Sequence, residues 1–139
     1  MPEVKVEVVG ILEQEVTFGE RERRIPVLLL RDSEKRDVGI PIGSCEALAI
    51  QIALEQRVVP RPLTHDLALR LLDRLSAKLE RAVVDELSES HTHATLYLQC
   101  SDGQIEMDAR AGDAIALALR ADVPVFVTED IAGRGAEGQ

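Results

Sequence analysis

The sequence predicts an α+β domain with a mixed sheet of about seven strands and three helices. Several segments alternate apolar and polar residues at period two, which indicates half-buried strands. The segment after Thr64 instead carries leucines at helical spacing. Residues 46–50 and 113–117 match in residue type, lie 67 positions apart (46 to 113), and each follow two strands joined by a polar turn. This repeat suggests pseudo-duplicated β-hairpin–helix halves, although five matched apolar positions also arise by chance.

The first half is predicted to contain three strands and a helix. Val4, Val6 and Val8 share one face of a strand over residues 3–12. A charged turn over 19–24, a strand over 25–30, a polar turn over 32–37 and a strand over 38–42 follow. Ser44 has the side chain of an N-cap, and the helix from there to about residue 55 is apolar on all sides. This pattern predicts a central, buried helix.

A proline-containing break over residues 58–62 follows the first half, and the helix after this break is expected to be an insertion between the two halves. Thr64 is predicted to cap an amphipathic helix whose leucine face is Leu67, Leu71, Leu72, Leu75 and Leu79. Strands are expected over 82–87, 94–100, 105–109 and 125–127, with a Ser-Asp-Gly hairpin turn at 101–103. The alanine-rich segment 114–119 is predicted to be helical, because alanine is the best helix former. Residues 1–131 are expected to form one domain, and 132–139 a flexible tail.

Composition limits the classes of function. The net charge is −9 and aromatic residues make up 2% of the chain. Proteins that bind nucleic acid usually carry a basic patch, and single-strand binders use aromatic faces for stacking. Both counts disfavour nucleic acid unless a local basic groove, a cation or an oligomeric surface offsets the charge. The isolated cysteines, interpreted as small buried residues, and the charged start without an apolar segment predict a cytoplasmic protein without a membrane span.

Three carboxylates are candidates for a metal site. Glu46 and Asp113 fall at equivalent first-turn positions of two predicted helices, and Asp108 precedes Asp113 by five residues. If they converge, they offer the hard oxygen ligands that Mg²⁺ and Mn²⁺ prefer, and such a cation can assist phosphodiester hydrolysis. The alternative is structural, because acidic side chains in a first turn stabilise a helix through capping and the helix dipole.

Arg110, His65 and Asp66 are the remaining candidates for catalysis. Arg110 can pair with a neighbouring aspartate or hold a phosphate through its planar guanidinium. His65 can transfer protons near neutral pH, and Asp66 follows it directly. Consecutive helical residues point about 100° apart, however, so this pair is not a preformed dyad. The alternative is that both are ordinary polar residues of a helix start.

Three segments of the chain carry a family resemblance. Residues 41–50 (PIGSCEALAI), 61–67 (RPLTHDL) and 108–120 (DARAGDAIALALR) resemble the three signature blocks of the bifunctional nuclease domain family. The resemblance covers roughly residues 4–130, and the middle block matches without a gap. Family members usually read Asp-Ala-Arg-Pro-Ser-Asp in the third block, where this chain has Ala111-Gly112 in place of Pro-Ser.

The resemblance implies a compact α+β domain that self-associates, with RNase and DNase activity in characterised plant members. By this resemblance RNA or DNA would be the partner, and the chain would form homo-oligomers. The hypothesis for catalysis is that Glu46, Asp108 and Asp113 position Mg²⁺ or Mn²⁺, Arg110 stabilises phosphate charge, and His65, next to Asp66, transfers protons. A non-enzymatic, self-associating binding or regulatory module is the alternative, with its polar segments serving as caps and ion pairs.

Overall fold

The structure is a computed structural model, and it describes residues 2–88 and 91–137, with side chains to residue 134. These ranges contain seven strands and four helices. In chain order they are β1 (Glu3–Phe18), β2 (Arg21–Asp32), β3 (Asp37–Pro41), α1 (Ser44–Leu54), α2 (Thr64–Arg74), β4 (Lys78–Leu87), β5 (Thr92–Cys100), β6 (Gly103–Ala109), α3 (Ala111–Ala121), β7 (Val125–Thr128) and α4 (Glu129–Glu137).

The seven strands form one mixed sheet in the order β3-β2-β1-β7-β4-β5-β6. Two antiparallel three-stranded meanders, β1-β2-β3 and β4-β5-β6, flank β7, which runs antiparallel to β1 and parallel to β4. The first meander leads into α1 and the second into α3. The helix α2 lies in the chain between α1 and the second meander. The predicted α+β class and the seven-stranded mixed sheet are therefore confirmed.

The hydrophobic core lies between one face of the sheet and the helices. Leu28, Leu30, Ile40 and Val84 of the sheet are fully buried, as are Ile50 of α1 and Ile115 of α3. Alternate strand residues point toward the helices, as the period-two pattern predicts. The helices α1 and α3 pack side by side, which brings their N-termini together at one end of the domain.

One prediction about helix faces is wrong, and a second helix exposes the face that carries most of its leucines. In α1 only Glu46, Ala49 and Ile50 are buried and Leu48 is 59% exposed, so this helix is not buried all round. In α2 the leucines at helical spacing, Leu67, Leu71 and Leu75, are 50%, 55% and 77% exposed, while Leu69 and Leu72 contact the core. The leucine spacing predicts an amphipathic helix, but spacing alone does not say which side of a helix meets the sheet.

The structure also corrects several predicted boundaries. Helices α1 and α2 begin at Ser44 and Thr64 themselves, so their N-caps are Gly43 and Leu63, and neither makes a side-chain cap hydrogen bond. Strands β1 and β2 extend through the predicted charged turn to a tight hairpin at Gly19, whose φ of +64° suits glycine. Cys45 is exposed rather than buried. No helix of the described residues is long and apolar enough to cross a membrane.

The last residues differ most from the prediction of a flexible tail over 132–139. Residues 129–137 form α4, and Ile131 and Ala132 are 0% and 1% exposed. Residues 138 and 139 lie outside the described part. Arg36, in the β2–β3 turn, hydrogen bonds to Glu129 (Nη1 to Oε1, 2.8 Å) and to the buried Asp32 (Nε to Oδ2, 2.6 Å). This ion pair fixes the start of α4 against the sheet.

Candidate active site

The N-termini of α1 and α3 bring Glu46 and Asp113 together. Each is the third residue after the N-cap of its helix, as the repeat in the sequence predicts. The N-cap residue of α3 is Arg110, and its guanidinium bonds to both carboxylates. Nε donates to Oδ2 of Asp113 at 3.0 Å, and Nη2 lies 2.9 Å from the same oxygen and 3.3 Å from Oε1 of Glu46. Glu46 is nearly buried, whereas the Arg110 side chain is 71% exposed.

His65, in the first turn of α2, completes this group of side chains. Its Nε2 lies 2.9 Å from Oδ1 of Asp113, and its side chain is 14% exposed. Asp113 therefore binds the imidazole with one oxygen and the guanidinium with the other. We call Glu46, His65, Arg110 and Asp113 the Asp113 cluster.

The charge state of Asp113 fixes the hydrogen bonding of this cluster. Partial burial acts to raise the pKa of Asp113, but hydrogen bonds from His65 and Arg110, with their charges, outweigh it and lower the pKa. The same hydrogen bond, followed by the charges of Asp113 and Glu46, raises the pKa of Arg110. An ionised carboxylate can only accept, so the Nε2 of His65 carries the hydrogen and Nδ1 is left as the basic nitrogen of a neutral ring.

Close packing at Gly112 holds Glu46 in this position. A Cβ atom at Gly112 would lie 2.9 Å from Cβ of Glu46, 3.1 Å from its Cγ and 3.2 Å from Cγ2 of Ile42. Only a residue without a side chain lets α3 approach α1 this closely. The glycine at position 112, where the resembled family usually has serine, is thus matched to the packing of Glu46 in this chain.

A groove borders the Asp113 cluster. Its volume is about 420 Å³, and Arg110 and Glu46 contribute the charged side chains near Gly43 and Gly112. Ile25, Pro41 and Ile42 supply an apolar wall. The exposed guanidinium of Arg110 therefore faces a space that can hold a ligand. His65 contacts Asp113 and does not itself line the groove.

Asp66 does not join the Asp113 cluster, although it follows His65. Its Oδ2 accepts the backbone N–H of Leu63 at 2.9 Å, and its Oδ1 accepts Nε–H of Arg120 at 2.8 Å. Burial acts to raise the pKa of Asp66, but these two hydrogen bonds and the charges of Arg120 and Arg70 lower it. Asp66 thus caps α2 and links it to α3.

Asp108 also lies apart from the cluster. It is on β6, its side chain is 82% exposed, and it pairs with Nε2 of His93 on β5. Nδ1 of His93 in turn pairs with Asp85, whose other oxygen accepts the hydroxyl of Thr95 at 2.7 Å. The hydrogen bond to Asp85 raises the pKa of His93 against the opposing effect of burial, with Asp108 adding to the rise. We call these four residues the His93 cluster.

The three carboxylates predicted as metal ligands do not share one place. Glu46 and Asp113 both bind Arg110, and Asp108 belongs to the His93 cluster. Among the described residues no three His, Cys, Asp or Glu side chains are grouped so that they could hold a metal ion. In this arrangement the donor set does not fit a resident Mg²⁺ or Mn²⁺, which needs several oxygen ligands around one point.

Two residues of functional interest were not singled out in the sequence. His93 is not among the predicted site residues, and its partner Asp85 lies on the neighbouring strand. Arg120 was not considered, although it lies seven residues after Asp113 and therefore on the same side of α3. The seven-residue spacing could have identified Arg120, because two charged positions on one side of α3 can both contact a neighbouring helix. In the structure His65 contacts Asp113 and Asp66 contacts Arg120.

Comparison with known proteins gives one family. A model of the bifunctional nuclease domain matches residues 27–137. Two relatives come from Mycobacterium tuberculosis, an uncharacterized protein of strain CDC 1551 / Oshkosh and an uncharacterized protein of strain ATCC 25618 / H37Rv. Each is 42% identical over 115 residues, covering 81% of this chain and 67% of the relative. The matched region includes every residue of the Asp113 cluster.

Proposed function

The chain belongs to the bifunctional nuclease domain family, and from this premise we propose that it hydrolyses phosphodiester bonds in RNA and DNA at the Asp113 cluster. One observation supports this proposal above the others. Asp113 binds the imidazole of His65 through one oxygen and the guanidinium of Arg110 through the other. A group that transfers protons and a group that binds phosphate are therefore held on the same carboxylate.

The reaction assigned to this arrangement is attack of a water molecule on phosphorus. Nδ1 of His65 accepts the proton of the water, and Asp113 orients the ring and stabilises the imidazolium that forms. The water oxygen bonds to phosphorus as the bond to the leaving oxygen breaks, and the leaving oxygen takes a proton from solvent while the imidazolium of His65 returns its proton to solvent. Arg110 donates to a non-bridging phosphate oxygen, where negative charge is concentrated in the transition state.

The acidic surface is the main physical objection, and Arg110 answers part of it. Carboxylates repel phosphate, but Glu46 and Asp113 both form ion pairs with a guanidinium that stays charged at every accessible pH. The exposed part of the Asp113 cluster is the cation, since Glu46 is 10% and Arg110 71% exposed. A phosphate in the groove thus meets positive charge first.

A divalent cation remains a prediction from the sequence, and no step is assigned to it because the donor set does not fit one. The resulting expectation is that cleavage persists after chelation. Cleavage that needs added Mg²⁺ or Mn²⁺ would mean that Arg110 leaves Glu46 and Asp113 when substrate binds.

The test is cleavage of fluorescently labelled single-stranded RNA and DNA by purified protein, with and without a chelator. The variants His65→Gln and Asp113→Asn should each lose roughly 100-fold or more in rate, as expected for removing acid–base catalysis. His93→Gln and Asp73→Asn are the matched controls, since they make the same chemical changes outside the Asp113 cluster. Equal residual cleavage in all five proteins would identify a contaminating nuclease and contradict the proposal.

A non-enzymatic, self-associating module is the second candidate, and the leucine face of α2 favours it. Leu67, Leu71 and Leu75 are each at least half exposed and lie one turn apart. Such a stripe is typical of a helix that packs against another protein surface, here a second copy of the chain. Light scattering of the wild type and Leu71→Glu tests this: a wild-type monomer, or an oligomer that Leu71→Glu leaves intact, would contradict it.

A further inference from the structure

A second cavity, larger than the groove, lies at the C-terminal ends of α1 and α3, whereas the groove lies at their N-termini. Its volume is about 570 Å³, and it is enclosed by the end of α1, the segment 57–62, α2 and the end of α3. Three arginines from these elements line it, Arg57, Arg70 and Arg120, together with Asp66 and Asp122. We call it the arginine cavity. No residue of the Asp113 cluster lines it.

Arg120 is the unusual residue of the arginine cavity. Its side chain is only 7% exposed, although its guanidinium is charged. Nε donates to Asp66 and Nη1 donates to the carbonyl oxygen of Ala116 at 3.1 Å. Nη2 is buried and finds no acceptor among the described residues. Buried donors on a charged group are nearly always hydrogen bonded, because an unpaired one loses its hydration without compensation.

The position of Arg120 in α3 does not explain why its Nη2 is buried without an acceptor in the described part of the chain. A basic residue in the last turn complements the helix dipole, and the pair with Asp66 joins α3 to α2. The charge of the guanidinium serves the first role and the Nε–H bond to Asp66 serves the second, while Nη1 is bonded to the carbonyl oxygen of Ala116. The donors of Nη2 are left over, and they belong to a residue that lines a cavity. An anion bound in the cavity would give such a charged group an additional acceptor.

The other charges of the arginine cavity are compatible with an anion. Both oxygens of Asp66 are already hydrogen bonded, to Arg120 and to Leu63. Arg57 pairs with Glu55 at 2.9 Å and is exposed. Arg70 is exposed and has no ion pair within the described part of the chain, and it lies one turn after Asp66. The lining therefore carries three guanidinium groups against two carboxylates, on a protein whose net charge is −9.

We propose that the arginine cavity binds a phosphate group, with the guanidinium groups of Arg120 and Arg70 as its principal donors. Phosphate fits better than a carboxylate, because the donors come from different helices and a tetrahedral group presents oxygens in several directions. Asp113 and Arg120 are seven residues apart on α3, about 10 Å along the helix axis. The phosphate held here is therefore not the one attacked at the Asp113 cluster. The site requires no catalytic activity.

The experiment is a calorimetric titration of the full chain with inorganic phosphate, carried out with Arg110→Gln in every sample. That substitution removes the guanidinium to which the proposed hydrolysis assigns a phosphate, so failure of the nuclease proposal does not affect the result. Adding Arg70→Gln should weaken phosphate binding about tenfold or more, the usual effect of losing a charge-assisted hydrogen bond. Adding Arg74→Gln, four residues along the same helix and outside the cavity, should change the affinity less than twofold.

Two further ligands identify the source of the phosphate. A thymidine dinucleotide without a terminal phosphate competes only if the site accepts a phosphodiester, and the 5′-phosphorylated form competes also if it accepts a phosphomonoester. Competition by either dinucleotide supports the site if Arg70→Gln weakens the binding of that dinucleotide and Arg74→Gln does not. No saturable phosphate binding, equal affinity with and without Arg70→Gln, or equal weakening by both arginine substitutions would overturn the proposal.

Discussion

Replacing Gly112 by alanine perturbs the Asp113 cluster without removing any of its polar groups. The added Cβ would lie 2.9 Å from Cβ of Glu46 and 3.1 Å from its Cγ, closer than carbon atoms pack. These atoms are at the base of the Glu46 side chain, so α1 and α3 must move apart. Overpacking of this kind costs about 1–3 kcal/mol. The better helix propensity of alanine returns about 0.5–1 kcal/mol, which leaves a net loss of about 1–2 kcal/mol.

Urea denaturation measures this loss. With a slope of roughly 1–3 kcal/mol per molar urea for a domain of this size, the midpoint should fall by roughly 0.5–1 M. Gly133→Ala is the matched control, because Gly133 lies in α4 and its Cβ would meet nothing within 4 Å. That variant should be as stable as the wild type or more stable. A Gly112→Ala protein with an unchanged or higher midpoint would refute the close packing of α1 on α3.

Three further predictions concern stability. Arg36→Ala should destabilise the protein by about 2–3 kcal/mol in urea, because it leaves Asp32 buried and unpaired. Arg24→Ala is the control and should cost less than about 0.5 kcal/mol, since the ion pairs of Arg24 are exposed. Equal losses in the two variants would contradict this prediction. Burial acts to raise the pKa of Asp32, but hydrogen bonds and charge from Arg36 outweigh it and hold the pKa below the unfolded value of about 3.9. The stabilisation is therefore complete above that value and lost as pH falls through the lower folded value. The urea concentration at the midpoint should thus decrease once the pH is below about 4, and it should decrease less steeply in Asp32→Asn. Asp113→Asn should lower the free energy of unfolding by about 1–2 kcal/mol. Asp108→Asn should lower it by less than about 0.5 kcal/mol, because the Asp108 side chain is 82% exposed. A larger loss of thermal stability in Asp108→Asn than in Asp113→Asn would contradict the hydrogen bonding described for the Asp113 cluster.

Much of the fold follows from local patterns in the sequence. Period-two segments mark the strands, and the Ser-Asp-Gly turn places β5 beside β6, with Gly103 at a φ of +127°. The repeat places Glu46 and Asp113 at equivalent positions, and the structure joins them through Arg110. These features depend on residues near one another in the chain or on a shared pattern, which a sequence displays directly.

The position of Asp108 depends on tertiary structure and was not predictable from spacing. Asp108 pairs in register with Thr95, whose neighbours Ala94 and Leu96 are buried beneath the helices. Successive strand residues point to opposite faces. Asp108 therefore lies on the sheet face away from the helices, although only five residues separate it from Asp113.

The helix α4 and the exposure of α2 escaped prediction for a related reason. Gly133 and the polar residues around it weaken the local signal for a helix, and burial of Ile131 and Ala132 compensates only in the folded domain. In α2 the strongest apolar stripe faces solvent, so amphipathic spacing predicts the helix correctly but does not identify its buried side.

Chemical rescue of a His65 variant tests the central claim most directly. His65→Ala removes the imidazole from Asp113, and its single-turnover rate of RNA cleavage should fall roughly 100-fold or more. Added imidazole should restore part of that rate, because Asp113 and Arg110 remain in place to hold the ring and the phosphate, and it should not change the rate of His93→Ala. A His65→Ala protein that cleaves at the wild-type rate, or one that folds normally and stays inactive in imidazole, would contradict proton transfer at this site.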